Sequence, residues 1–246
     1  MRVFGPATEV LEGPATIDIL DPGGSATAHS AWLFDVLRDL ADAGARGAFA
    51  PRGTKAPALS LRAFGPAPQG LRAEMDASGV DWRIIGCVAS AIAARGLDGS
   101  VSDLRLTSRG AEPHLVYVSL DGIDASIFPG LRPDLGFVYM ADTTITSRMR
   151  STIITLTDRA TKAEADSLAR WIAPWARLVE AGAFAATRPF PIEARNFCSG
   201  VQSFERDSLE IVLDRFDGDG AAFDILANML AMAQAAGLAI LKVEQY

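Results

Sequence analysis

The residues best placed to do chemistry lie in Asp21–Ser30, "DPGGSATAHS", between the apolar run "ATIDIL" and the helical pattern "AWLFDVLRDLADAGA". Gly23 and Gly24 permit positive φ and let a turn present backbone N–H groups beside a helix start. Ser25, Thr27 and Ser30 add hydroxyl donors, and His29 adds an imidazole that can act as acid or base. Such a corner suits a carboxylate, a phosphate or another small anion. Pro-Gly is equally a plain turn dipeptide, and Ser or Thr before a helix is an ordinary cap, so a simple connection is the competing reading. The spacing is neither GxxxxGK[ST] nor GxGxxG, and no cofactor is expected.

Other constellations are thinner. Asp142, Thr143, Thr144, Thr146, Ser147, Arg148 and Arg150 gather in "MADTTITSRMRS", where Arg148 would hold an anion in a cleft. Asp214, Asp217 and Asp219 cluster in "DRFDGDG" but lack the EF-hand spacing and its bidentate Glu. His29 and His114 are the only histidines, so no metal centre is expected. Cys87 sits in an apolar helical run and reads as core, while Cys198 in "NFCSG" has no evident base beside it.

Composition bounds the partners. The 246 residues carry a formal charge of -7, which disfavours a nucleic-acid backbone or an anionic membrane as target. Two distant cysteines make no disulfide framework and suit a reducing compartment. Neither a signal-peptide pattern nor a bilayer-length apolar run is evident, so the expectation is a soluble cytoplasmic protein.

The elements that must position these residues come in an order that repeats. Periodicity predicts a strand at 15–20, a helix at 28–44, strands at 57–64 and 70–76, a helix at 81–96 and a strand at 100–107. The order returns as a strand at 151–157, a helix at 162–182 bent at Pro174, strands at 190–197 and 208–216, a helix at 221–237 and a strand at 238–246. "ATIDIL" parallels "STIITL", and "DAGA" parallels "EAGA". The expected fold is α+β, a tandem duplication of ferredoxin-like βαββαβ units with antiparallel sheets, spanning 1–107 and 151–246. A two-stranded β insertion, 108–150, separates them. The first helix of each half has a charged, wet face. The second helices are apolar nearly all round and must be covered between the halves or in an oligomer.

The turn and helix "DPGG…LFDVLRDLADAGA" resemble those of the ACT-type regulatory domain, in which an Asp-x-Pro-Gly turn leads into a helix ending in an Ala-Gly step. That resemblance implies small-molecule binding, often of an amino acid, near the first strand–helix turn and a subunit interface. It covers Asp21–Ala45 alone and is an analogy of fold. The functional expectation is therefore non-catalytic binding of a small anion or amino-acid-like molecule, or a protein interaction, in a chain able to dimerise. The alternative is an enzyme acting on a small anionic substrate between the halves, with His29 as base and Arg148 holding the anion. The expected ligand contacts are Gly23, Gly24, Ser25, Thr27, His29 and Arg148.

Overall fold

The computed structural model describes the chain except residues 52–53, 110, 119–124, 131–134, 142–149, 158–159, 186–197, 206–207 and 214–219. It is a mixed α+β structure with two sheets and, among the described residues, five α-helices. The first sheet holds β1 (Arg2–Gly5), β2 (Val10–Leu20), β3 (Ala58–Ala67), β4 (Gly70–Asp81), β5 (Asp103–Ser108) and β6 (His114–Val118), in the order β3-β4-β2-β5-β1-β6. The second holds β7 (Val138–Ala141), β8 (Arg150–Leu156), β9 (Cys198–Glu205), β10 (Ser208–Leu213) and β11 (Ile240–Gln245), in the order β7-β11-β8-β10-β9. The helices are α1 (Ser25–Ala28), α2 (Ser30–Ala45), α3 (Ile84–Ala94), α4 (Lys162–Glu180) and α5 (Ala221–Ala235).

Five strands of each sheet stand in the same relative positions when taken in chain order. β2 is flanked by β4 and β5 as β8 is flanked by β10 and β11, all antiparallel. The last strand of each set takes a further neighbour in parallel, β1 on β5 and β7 on β11. The sheets are thus mixed rather than purely antiparallel. The strands expected to form one insertion part company: β6 pairs antiparallel with β1, and β7 joins the second sheet. An isolated strand pair is marginal in water, whereas a sheet edge supplies ready partners. The strand expected at 190–197 lies outside the described residues, and β9 occupies 198–205.

Local sequence explains the elements. In β2, Leu11, Ala15, Ile17 and Ile19 point into the core while Thr16 and Asp18 face outward. Pro14 is tolerated in this central strand because β5 pairs only from Ala15 onward, which leaves the missing N–H without a ladder partner to disappoint. Helix α4 opens with a capping box, Thr161 accepting from the Glu164 amide and Glu164 accepting from the Thr161 amide.

Pro174 lies inside α4, and the helix continues through it. A proline cannot donate to the carbonyl four residues earlier, here Arg170. Arg46 supplies the missing donor, its guanidinium bonding the carbonyls of Arg170 and Trp171 at 2.7 Å each. Its charge also sits over the Trp171 ring. This joins the end of α2 to the middle of α4.

The two apolar helices are covered reciprocally. In α3, Ser90 Oγ faces the carbonyls of Gly182 and Ala185, just after α4. In α5, Asn228 Nδ2 donates to the carbonyl of Ala48, just after α2, and to that of Gly130. Both polar side chains are fully buried, so these bonds remove what would otherwise be orphaned groups. The main direct helix contact between the two layers is α2 against α4.

Candidate functional site

A cleft of about 530 Å³ opens where the start of α2, the end of α3 and the end of α4 converge. Its lining includes His29, Trp32, Asp35, Asp39, Arg95, Arg177 and Glu180. The side chains come from the first turns of α2 and from the ends of α3 and α4, so the site belongs to the junction of helices and not to one sheet.

Asp39 forms its floor. The side chain is 7% exposed and accepts from Arg177 Nε at 2.8 Å, with a second guanidinium nitrogen also at 2.8 Å. Burial raises the Asp39 pKa, and Arg177 only partly offsets that cost. Glu180 stands exposed at the rim, yet the protein packed on its inner side raises its pKa too, with Arg177 opposing and Asp39 reinforcing the shift. Asp35 pairs with Arg38 at 3.0 Å. Arg95 lies over the Trp32 ring, 5.3 Å from its centroid. A guanidinium and a carboxylate thus face the cleft across an aromatic wall, which suits a small ligand with a planar or apolar body and charged ends.

The expected ligand contacts are dispersed. Asp21 is buried and accepts from the amides of Ala26 at 2.6 Å and Thr27 at 3.2 Å. The protein's own carboxylate therefore occupies the donor nest that the glycine turn was expected to offer an anion. Gly24 adopts φ +75°, a conformation that favours glycine, and Gly23 beside it is exposed. Neither lines the cleft. Ser25 begins α1 and is half-buried. Thr27 faces a different groove with Ser30, Phe34 and Phe64. His29, at the joint between α1 and α2, does line the cleft. Arg148 lies outside the described residues, as do Asp142, Asp214, Asp217 and Asp219.

Sequence reading missed Trp32, Asp39, Arg95, Arg177 and Glu180 as a group. Asp39, Arg177 and Glu180 look like parts of two wet helix faces. The available signal was that both charged faces belong to helices ending in the like words "DAGA" and "EAGA".

Elsewhere, Cys87 is buried and burial drives its thiol pKa upward, so it is no nucleophile in the folded chain. Among the described residues, no three of His, Cys, Asp and Glu converge as a metal site. No helix among them is long and apolar enough to cross a membrane. Comparison of the chain with family models, curated proteins and solved structures returned no significant match in any of the three.

Proposed function

We propose that the chain is a tandem pair of ferredoxin-like units whose junction binds a small anionic or amino-acid-like molecule without transforming it. The matching strand orders of the two sheets support the first part of this reading. The cleft carries the second. Its volume is that of an ordinary small-molecule site, roughly 300–1,000 Å³. Arg95 lays its guanidinium over the Trp32 ring, and among the described residues no carboxylate pairs with it. An acid group on the ligand meets Arg95, its body rests on Trp32, and an amino group, where present, meets Glu180.

A binding role is favoured over catalysis because the described lining residues include no Ser, Thr, Cys or Lys to serve as nucleophile. Its inner carboxylate is already committed to Arg177. One observation favours the enzymatic alternative: His29 lines this cleft and would serve as base. In that case Arg95 takes the anchoring part expected of Arg148.

Thermal denaturation with millimolar phosphate, acetate, succinate, glycine and glutamate tests the reading. A ligand at about a hundred times its Kd adds roughly 2.7 kcal/mol, a rise in Tm of several degrees. The rise should disappear in Arg95→Ala and survive in His29→Ala. No shift with any of the five, or a shift indifferent to Arg95→Ala, contradicts the proposal. The enzymatic alternative requires turnover that His29→Ala abolishes while binding persists.

A further inference from the structure

We infer that Glu180 sets the ligand class of the junction cleft: it takes the ammonium group of a zwitterion, so an amino acid is preferred to the same acid without its amine. The inference rests on the reading of this cleft as a binding site.

Most of the charge that lines the cleft cancels within the chain. Arg177 is bonded to Asp39 at 2.8 Å, and Asp35 is paired with Arg38 at 3.0 Å. Arg95, over the Trp32 ring, and Glu180 are left. Among the described residues, neither of these two side chains has an ion-pair partner or a hydrogen bond. One uncommitted cation and one uncommitted anion on the same concave surface complement a molecule that carries one of each. A plain acid answers Arg95 alone and brings its charge into a cleft that also holds Glu180.

The helix end makes the same demand. Glu180 is the last residue of α4. The carbonyl end of a helix carries partial negative charge and favours a cation, so a carboxylate there is a local cost. Arg177, the basic residue of that last turn, is committed to Asp39. The word "DAGA" puts Asp42 near the end of α2 in the place that "EAGA" gives Glu180. Four residues after Asp42 stands Arg46, whose pKa is lowered by burial and drawn back up by the Asp42 charge. Four residues after Glu180 stands Phe184, fully buried with its ring beside Phe128. The chain thus gives Asp42 a cation of its own and gives Glu180 a phenyl ring in that position. A ligand ammonium supplies the missing charge and answers the carboxylate and the helix end together. A local rule broken without compensation inside the chain is what a binding position looks like.

Isothermal titration calorimetry of the full chain at about pH 7.5 tests this with three pairs: glycine and acetate, glutamate and glutarate, phenylalanine and 3-phenylpropionate. For the pair that binds best, the amine is expected to tighten binding about tenfold. Glu180→Gln is expected to bring the two members within about threefold of each other, with the amine-free acid bound at least as tightly as before. The unliganded variant should melt slightly higher than the wild type, because an uncompensated carboxylate has left a helix C-terminus. Binding with no preference for the amine, or a preference that survives Glu180→Gln, overturns this inference and leaves the cleft a binding site. A variant that melts lower than the wild type overturns it as well, since Glu180 would then be compensated within the chain. Silence from all six compounds removes the binding reading and this inference with it.

Discussion

Asp39 of α2 and Arg177 of α4 hold equivalent places in their helices and bond to each other at 2.8 Å. Asp39 stands three residues before the acidic residue of "DAGA", and Arg177 three residues before that of "EAGA". If the two strand-and-helix sets are the like units proposed above, equivalent residues would meet at their pseudo-two-fold axis, where opposite charges form a bond instead of a clash. The same relation recurs further out. Ser90 and Asn228 follow Gly44 and Gly182 by equal stretches of chain; Ser90 bonds the segment after α4 and Asn228 the segment after α2.

Burial of Asp39 has a pH consequence. A carboxyl whose folded pKa is raised binds its proton more tightly in the folded state, so its ionisation costs stability as pH climbs from its unfolded value near 4 through its folded value. Asp39→Asn removes that contribution. Urea titrations at pH 4, 5, 6 and 7 should show the variant gaining on the wild type as pH rises. A difference that is flat or falls with pH contradicts the assignment.

Asp103 makes the opposite case. Burial works against its charge, yet hydrogen bonds from Arg2 at 2.6 Å and Arg105 at 2.7 Å hold its pKa below the ordinary carboxylate value. Its stabilisation is present above pH 4 and is lost as pH falls through the depressed value. Asp103→Asn should therefore be less stable than the wild type at pH 7, and the gap should close towards pH 2. A gap that widens on acidification would refute this.

Arg46 replaces the hydrogen bond that Pro174 cannot make. Arg46→Ala should cost about 1–2 kcal/mol, since the carbonyls of Arg170 and Trp171 lose a charged donor at a partly solvated site. In a Pro174→Ala background the restored helical amide competes for the Arg170 carbonyl, and the loss should shrink. Denaturant melts of the four proteins give the coupling directly. Equal losses in both backgrounds would mean that Arg46 stabilises only by packing on Trp171.

Gly182 has φ +80°, and a Cβ there would overlap that of Ala94 in α3. Gly182→Ala combines backbone strain with overpacking where α3 meets the end of α4. A loss of about 2 kcal/mol, or a Tm several degrees lower, is expected. An unchanged Tm would show that the two layers are not held tightly there.

Much of this architecture can be read from periodicity. The strands at β2, β4, β5, β8 and β10 announce themselves by alternation, and α3 and α5 by their apolar composition. β1 is too short to carry a pattern, and its place depends on pairing with β5, a contact distant in sequence. The site was less legible because its members lie on three helices whose meeting is a tertiary event. "DPGGSATAHS" advertises an anion nest, yet Asp21, within the same stretch, fills it. His29 alone of the described candidate contacts faces the cleft, because the break between α1 and α2 turns it away from Thr27.

Indole resonances test the central claim, that the junction cleft holds a small ligand. The chain has four tryptophans, and Trp175 donates to the Ala222 carbonyl at 2.7 Å, away from the cleft. In a ¹⁵N correlation spectrum, titration with a stabilising member of the five-compound panel should move the Trp32 indole signal, assigned by Trp32→Phe, and leave that of Trp175 in place. A spectrum in which Trp32 stays still with every compound, or in which Trp175 moves instead, would contradict the account.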